Sequence, residues 1–299
     1  MNHISASMIA DSISPSGKRM RTIKMRLPRI ILAELNTHRQ LSKNTRSSRA
    51  VPVETMIKEV MEEPFIPLHW GAAQKGMQAY NETSERVDVG PVFGFPHEFP
   101  VENEKAWLIG RDLMVKLAEG FHQAGYAKQI INRLLEPWMF VDSLVSGTEW
   151  ANFLALRDHH AAEPHIQVVA REVRRVSDYS TPYEVKPGEW HLPYVKDFER
   201  NLYPLDVLKK LSVARCARIS YAPFDGNGSV EKEIERYDLL VGSAPIHASP
   251  TEHQATPDDT FTIRSIGSVQ WLRPREHGNL IGWRQLRKLL PNECILEAA

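Results

Sequence analysis

The hydrophobic and polar positions of this 299-residue chain follow two periods, which together predict a mixture of strands and helices. From Arg21 to Leu27 an apolar side chain stands at every second position, as is typical of a half-buried strand. The preceding residues 1–20 are Ser-rich and weakly patterned, so we expect a short frayed segment there. From Leu27 to Leu35 the spacing becomes helical, with Pro28 near the first turn.

The middle and end of the chain are dominated by helical spacing, interrupted by two segments rich in proline and aromatic residues. We expect these segments, 64–104 and 178–204, to be irregular insertions. Helices are predicted at Met56–Met61, Glu104 to near Gly125, Lys128–Leu135, Thr148 (as cap) to Arg157, Pro164–Val176, Leu205–Leu211, Gly282–Leu290, and after Ser229 with Glu233 as its reciprocal cap. A strand is predicted from Phe261 to Val269.

The segment from Thr37 to Arg49 departs from both patterns. Its thirteen residues include three arginines, a lysine, a histidine and three serines, but only one large apolar side chain. Arginine and serine side chains donate hydrogen bonds that suit phosphate oxygens. Because the segment follows a predicted helix, we place it in a loop that the helix holds in position. It is a candidate anion site, and composition alone also allows a solvated basic loop.

The spacing within this segment resembles the signature of the flavin-dependent thymidylate synthases, R-H-R-x-x-S-x-N-x-x-S-x-R. Thr37 replaces the leading arginine of that signature. Its other six fixed positions are present as His38, Arg39, Ser42, Asn44, Ser47 and Arg49.

Two further parts of the chain extend the resemblance. Arg133, the run from Asn152 to Arg157 and the stretch from Pro164 to Gln167 resemble a helical part of the family. The runs Arg215–Tyr221 and His247–His253 resemble its R-A-A-R-V-S and H-x-T-P-F-E-H segments, which precede the signature in the family but follow it here. The order of segments therefore looks circularly permuted, which is physically tolerated when the termini lie close together at the surface.

The resemblance implies an α/β (α+β) fold, in which an antiparallel sheet is flanked by a helical bundle in a single domain over residues 1–299. It also implies a homotetramer whose active sites are shared between subunits. It assigns FAD binding to His38, Arg39, Ser42, Asn44, Asn152, His247, Ser249 and Glu252. It assigns nucleotide binding to Glu34, Ser47, Ser48, Arg49, Arg133 and Arg157, with Arg157 at the pyrimidine ring as the catalytic residue.

The implied reaction transfers a one-carbon unit from 5,10-methylenetetrahydrofolate to C5 of a deoxypyrimidine monophosphate, converting dUMP to dTMP. NADPH is a candidate reductant. C5 of a pyrimidine is a weak nucleophile, so a fixed guanidinium that stabilises the developing charge suits this chemistry. Thr37, Thr45 and Glu34 depart from the family pattern beside the substrate. Hydroxymethylation of dCMP or dUMP therefore stays open as an alternative, and it would suit a virus that marks its own DNA.

The charge balance and the cysteine content bear on the partners and the cellular location of the protein. Lysine plus arginine and aspartate plus glutamate are balanced at 37 each, which argues against duplex DNA as a partner. Cys216 and Cys294 fit no metal or redox spacing and indicate a reducing compartment. Because no apolar run suits a signal peptide or a membrane span, we expect a cytoplasmic protein, in the host cell if it is viral.

The sequence leaves two competing interpretations open. His247, Glu252 and His253 include side chains that bind zinc, although no further ligand cluster accompanies them. Alternatively, the chain is a catalytically inactive module that binds nucleotides or single-stranded DNA. Thr37 and the basic residues Arg284, Arg287 and Lys288 motivate that hypothesis.

Overall fold

The structure is a computed structural model that describes residues 4–76, 80–219, 228–263 and 267–294. Strands and helices are mixed along these residues. The strands are β1 Ser5–Ile13, β2 Arg19–Pro28, β3 Ser42–Thr45, β4 Val87–Asp88, β5 Pro100–Val101, β6 Phe140–Gly147, β7 Tyr183–Glu184, β8 Ala255–Pro257, β9 Thr260–Ile263, β10 Ser268–Trp271 and β11 Trp283–Gln285. The α-helices are α1 Leu32–Asn36, α2 Val53–Glu62, α3 Asn103–Gln123, α4 Lys128–Ile131, α5 Trp150–Arg157, α6 Pro164–Asp178, α7 Asp197–Leu202, α8 Leu205–Ala217 and α9 Val230–Val241.

The central sheet has five strands in the order β3-β6-β2-β1-β7. All neighbouring pairs are antiparallel except β1 and β7, which run parallel. Helix α6 packs Ile166, Val169 and Val173 against the sheet residues Ile23 and Val145, and all five side chains are buried. The predicted α/β class, with an antiparallel sheet flanked by helices, is therefore confirmed apart from the short parallel edge.

A second apolar cluster joins helices α2, α3 and α4 to the 3-10 segment Asn132–Trp138. Met56, Ala118, Ile131 and Leu135 form its centre, each with 1% exposure or less. This layer supports the turn Ser48–Ala50, which follows β3 and is contacted by α4. No helix among the described residues is both long enough and apolar enough to cross a membrane.

The prediction for residues 1–20 was wrong, since most of them form β1 and the start of β2. Of the three serines of β1, Ser5 and Ser7 are exposed, and Ser12 has a polar partner inside the protein. Ser12 lies beneath the surface, with its Oγ 2.8 Å from Nδ1 of His191. The hairpin turns at Gly17, whose φ of +79° lies in the left-handed region that glycine adopts readily.

Strand β6 was missed altogether, although it is the second strand of the sheet. It lies between β2 and β3, and five consecutive residues from Ser143 to Gly147 are buried. A strand covered on both faces shows no alternation of apolar and polar residues, which removes the period-2 signal.

Helix predictions from local spacing were confirmed for α2, α3, α5 and α6, and several boundaries changed. The predicted helix over 27–35 starts only after β2, as the 3-10 turn Arg29–Ile31 followed by α1. The predicted helix over 128–135 is α4 followed by a 3-10 segment, and the one over 205–211 extends to Ala217. The irregular prediction holds for most described residues of both segments, since 64–104 contains the two-residue strands β4 and β5, and 178–204 contains the two-residue β7 and the six-residue α7.

Two proposed caps differ from the observed ones. The N-cap of α5 is Glu149, without a side-chain bond, rather than Thr148. Ser229 does cap α9, accepting from the backbone N–H of Lys232. Glu233 is not its reciprocal partner, because this fully buried carboxylate forms ion pairs with Arg218 and Arg236.

The C-terminal predictions also changed. The strand expected over 261–269 is instead a hairpin of β9 and β10, with residues 264–266 outside the described part. The expected basic helix over 282–290 is β11 followed by a 3-10 turn, Leu286–Leu289. Antiparallel pairing of β11 with β8, a partner almost thirty residues earlier, overrides the local helical spacing.

Candidate functional site

The signature residues are organised by β3, an edge strand paired with β6 through Ser42 opposite Ser146 and Thr45 opposite Ser143. The prediction of a loop over 37–49 was therefore wrong at its centre. Alternation along β3 buries Ser42 and Asn44 and leaves the two intervening side chains half-buried. Four strand residues span about 13 Å, so the segment before β3 and the segment after it lie at opposite ends of the strand.

The buried side of β3 contacts the segments that follow far along the chain. Asn44 Nδ2 donates to the carbonyl oxygen of Cys216 at 3.0 Å. Ser42 Oγ donates to Asn279 Oδ1 at 3.0 Å. Gln285 Nε2 donates to the same Asn279 oxygen at 3.0 Å and to the carbonyl oxygen of Glu252 at 3.1 Å. Parts of the signature and of the two displaced segments are therefore in contact.

At the N-terminal end of β3, Arg157 joins α5 to the start of the signature. Its Nε donates to His38 Nε2 at 2.8 Å, and its Nη2 donates to Thr37 Oγ1 at 3.0 Å. Burial, together with the positive charges of Arg157 and Lys43, lowers the pKa of His38 to about 4. Because arginine is always protonated and donates here, His38 is neutral near pH 7 and carries its proton on Nδ1.

At the C-terminal end of β3, the chain forms an open cavity of about 460 Å³. Its polar lining combines Ser47 and Arg49 of the signature with Lys128, Gln129 and His247. Ala50 and Ala127 complete the lining. The cavity thus presents two cations, a hydroxyl and an imidazole from three separate parts of the chain.

Sequence reasoning missed Lys128 and Gln129 as site residues. Lys128 Nζ lies 3.4 Å from the carbonyl oxygen of Ala50, on the turn that carries Arg49. Neither residue belongs to the signature, so only their position at the start of α4 brings them to the cavity. In the sequence, the only indication of Lys128 was its position at the start of a predicted helix. Lysines at helix starts are too common for that position to predict a site residue.

The turn that carries Arg49 is fixed from below by a buried asparagine. Asn132 Nδ2 donates to the carbonyl oxygens of Ser48 and Val51 at 2.8 and 3.0 Å. Ser47 caps the turn, accepting from the backbone N–H of Arg49 at 3.3 Å. The side chain of Arg49 is left exposed at the cavity.

The remaining predicted site residues fall into two groups. The first group is exposed: Arg39, Arg133 and Asn152. The second is wholly or partly inside the protein: Glu34, Ser42, Asn44, Ser48, Ser249 and Glu252. Ser48 Oγ lies 3.5 Å from Glu136, Glu252 pairs with Arg287, and Ser249 begins the 3-10 turn Ser249–Glu252. Glu34 Oε2 is buried, and within the described residues it has no hydrogen-bond partner.

The metal interpretation finds no support in the described part of the chain, where no three His, Cys, Asp or Glu side chains are grouped to hold an ion. His253 is fully buried, with its Nδ1 2.9 Å from Ser146 Oγ. Burial lowers its pKa to about 3. His247 lies apart from it, at the cavity surface.

A buried row of hydroxyls and imidazoles continues from His253 through the sheet. Ser146 Oγ lies 2.6 Å from Thr22 Oγ1, which is 2.8 Å from His191 Nε2. The pKa of His191 is also lowered to about 3, chiefly by burial. Only pairing across β2 and β6 reveals this row, which no local motif marks.

The protein is similar to solved structures and to no family model or curated protein sequence. Solved structures do match it, among them a UMP/dUMP methylase PolB from Streptomyces cacaoi bound with 5-Br dUMP. The likeness covers 60% of this chain and 91% of PolB, at 13% identity and a TM-score of 0.44.

A second similar structure is the flavin-dependent thymidylate synthase ThyX from Helicobacter pylori complexed with FAD and dUMP. It is 19% identical over 53% of this chain and 67% of ThyX, with a TM-score of 0.34. That protein bears the name of the family whose signature resembles residues 37–49.

Proposed function

We propose that the protein is a flavin-dependent enzyme that transfers a one-carbon unit from methylenetetrahydrofolate to C5 of a deoxypyrimidine monophosphate, with dUMP as the favoured substrate. One observation carries the proposal. Signature residues on β3 and after it meet the displaced segments 215–217 and 247–252, through the Asn44–Cys216 bond and the cavity shared by Arg49 and His247. Segments that resemble one family in sequence thus converge in space.

The cavity beside Arg49 suits the nucleotide phosphate. Arg49 and Lys128 supply positive charge, and Ser47 and Gln129 supply neutral polar groups. Among the described residues, no carboxylate side chain lines the cavity, so a phosphate would meet no like charge there. Charge-assisted hydrogen bonds to phosphate are among the stronger polar contacts in proteins.

Arg157 suits the pyrimidine ring. Its guanidinium is held by Thr37 and His38, and a fixed cation at a carbonyl edge stabilises negative charge that develops on the ring when C5 attacks. His38 contributes as a neutral acceptor, because its lowered pKa keeps a second positive charge away from Arg157. No cysteine is required as a nucleophile, and Cys216 is a buried thiol whose pKa burial raises.

The residues around β3 fit a flavin nucleotide in part. Arg39, next to His38 in the chain, and Asn152 on α5 are exposed donors, suited to the pyrophosphate and to ring carbonyls. Ser42, Asn44 and Glu252 instead have polar partners inside the protein, so they would position the flavin site through β3. When bound, reduced FAD would supply the hydride that completes the methyl group, with NADPH as its proposed reductant.

We also propose that the protein assembles into a homotetramer. Arg133 is exposed on the 3-10 segment Asn132–Trp138, where it is available to the nucleotide of a neighbouring subunit. A homotetramer of single-domain subunits would provide such shared sites. Light scattering of the purified protein, coupled to gel filtration, measures the mass of the assembly directly.

The test begins with the purified protein. A flavin absorption band, retained on gel filtration and increased by added FAD, is the expected result. Incubation with methylenetetrahydrofolate, a reductant and dUMP should then yield dTMP by mass spectrometry. A colourless protein that takes up no FAD and leaves dUMP unchanged would contradict the proposal. Micromolar, strongly salt-dependent binding of single-stranded DNA would then favour the inactive module.

A second candidate substrate is dCMP, with a hydroxymethyl product. The observation that favours it is Glu34, whose buried Oε2 has no hydrogen-bond partner among the described residues. A carboxylate accepts hydrogen bonds, and cytosine offers an exocyclic amino group where uracil has a carbonyl. dCMP and dUMP are offered in parallel, with and without reductant. The product mass then shows which nucleotide is converted and whether it gains a methyl or a hydroxymethyl group.

A further inference from the structure

The position of the Arg157 guanidinium depends on two contacts along one of its edges. Nε donates to His38 Nε2 and Nη2 donates to Thr37 Oγ1. Arginine has five N–H donors in a planar fork. With one Nε–H and one Nη2–H committed, the donors left for a ligand are the two on Nη1 and the second on Nη2.

Thr37 is arranged to accept rather than donate in this contact. Its hydroxyl hydrogen is committed to the carbonyl oxygen of Glu34, at 2.7 Å. The hydroxyl lone pairs therefore remain for Arg157, and the two bonds place Thr37 between α1 and α5. The backbone carbonyl that receives the hydroxyl belongs to the same helical turn, which restricts the side-chain torsion of Thr37.

His38, the second contact, is itself fixed. It is only 8% exposed, and its ring meets the edge of Phe153 with centroids 5.0 Å apart at 76°. Phe153 precedes Arg157 by four residues on α5, so one helix face supplies both the packing and the guanidinium. Lys43 Nζ donates to the carbonyl oxygen of His38.

The family signature has an arginine where this chain has Thr37. An arginine there would bring a second cation against Arg157 and would offer no acceptor to it. A neutral acceptor at this position therefore allows the observed contact. The departure from the signature at Thr37 therefore comes with a hydrogen bond to Arg157 that an arginine there could not accept.

We propose that Thr37 is the positioning residue for Arg157: its hydroxyl, with His38, holds the Nε–Nη2 edge so that the Nη1 end of the guanidinium faces the ligand. The inference rests on the proposed function in that the ligand is the pyrimidine ring. The contact itself does not depend on that assignment, and the experiment separates the two.

The experiment compares Thr37→Val, which keeps the shape but loses the acceptor, with Thr37→Ser, which keeps the hydroxyl. Thr83→Val, in the 64–104 segment, is the matched control. In assays with dUMP, Thr37→Val should lower kcat about tenfold, the factor that corresponds to ~1.4 kcal/mol of transition-state stabilisation. The KM for dUMP should change little, because the phosphate contacts remain. Thr37→Ser and the control should retain most of the kcat.

Crystal structures of the wild type and both Thr37 variants give a readout that needs no activity. The guanidinium of Arg157 should keep its position in Thr37→Ser and leave it, or split into several conformers, in Thr37→Val. An unmoved guanidinium in Thr37→Val, or a loss of kcat in Thr37→Ser equal to that in Thr37→Val, would overturn the positioning role. A wild type that converts no nucleotide would overturn the proposed function, while the crystal structures would still decide the contact.

Discussion

Arg46 and Arg49 lie three residues apart in the signature segment, but their guanidinium groups are not equally available to a ligand. Both Nη groups of Arg46 bind the carboxylate of Glu59, at 2.9 and 2.8 Å. Three residues later, Arg49 is exposed at the cavity and, within the described part of the chain, forms no ion pair. A ligand that binds an arginine with an existing ion pair must first break that pair, which reduces the free energy gained on binding. Arg49 is therefore the one suited to phosphate.

We expect Arg49→Ala to raise the dissociation constant of dUMP about ten- to a hundredfold, since a hydrogen bond to a charged group contributes roughly 1.5–3 kcal/mol. Isothermal titration calorimetry measures the constant. Arg46→Ala is the matched control and should leave it nearly unchanged. Equal constants for Arg49→Ala and wild type would remove Arg49 from the phosphate site.

Lys128 tests the cavity independently of the signature, because no motif includes it. We expect Lys128→Ala to weaken dUMP binding several-fold, less than Arg49→Ala, because a lysine acts as a single flexible charge rather than a fixed fork. The salt dependence of binding should also become shallower. Lys116→Ala, on the exposed face of α3, is the control. An unaffected affinity in Lys128→Ala would place the phosphate elsewhere.

Arg157 is assigned to the chemical step rather than to binding. We therefore expect Arg157→Ala to abolish turnover, with only a modest loss of bound flavin. Steady-state assays and the flavin absorbance of the same preparation measure the two effects. Retained turnover would contradict the catalytic assignment, and a colourless variant would make Arg157 chiefly a flavin-binding residue.

At the scale of elements, β3 and the turn after it determine where the signature side chains lie. The strand has only four residues, and among the described residues β6 is its single strand partner. Polar contacts from other elements therefore contribute much of its support, through Asn44 on one side and Asn132 beneath the turn. Such a strand is specified by tertiary contacts more than by its own propensity.

Asn132→Ala should show this dependence. The change leaves the buried carbonyls of Ser48 and Val51 without their shared donor, at a cost of about 2–4 kcal/mol in the free energy of unfolding. Urea unfolding measures that cost. We also expect weaker dUMP binding, because the turn that carries Arg49 loses its support.

Asn81→Ala, at an exposed asparagine of the 64–104 segment, is the control for this variant and should change neither quantity. If Asn132→Ala were destabilised but bound dUMP normally, the turn would not be what positions Arg49.

On the scale of the whole molecule, the sheet encloses a polar row that links β1, β2 and β6 to the C-terminal part of the chain. His191 and His253 are buried with a pKa of about 3 each, and His38 has a pKa of about 4. All three values lie below the ordinary histidine value of 6.5, because burial disfavours the charged form.

These shifts predict a loss of stability in mild acid. Below pH 6.5 the histidines of the unfolded chain bind protons that the folded protein cannot accept. The stabilisation is therefore fully present above pH 6.5 and decreases as the pH falls towards the folded values, by about 1.4 kcal/mol per pH unit for each histidine. Urea midpoints measured between pH 7 and pH 5 test this before most carboxylates titrate.

A midpoint that stays constant from pH 7 to pH 5 would show that the buried histidines accept protons without cost, contrary to the structure.

The sequence by itself determined the elements whose signal is local. The period of α3, α5 and α6 and the alternation of β2 could be read directly, because each buries one face against a partner. The fixed spacing from His38 to Arg49 likewise singled out the candidate site segment from its residues alone. These signals survive in sequence because they require no knowledge of the distant residues they meet.

The tertiary structure alone decided what those residues contact. Strand β6 carries no alternation because it is buried on both faces, and β3 is defined by its pairing with β6, from Ser42 opposite Ser146 to Thr45 opposite Ser143. The bond from Arg157 to His38 joins residues 119 positions apart, and Lys128 reaches the cavity only through the placement of α4. Contacts over such separations depend on the packing of the whole chain, so local pattern and spacing could not predict them.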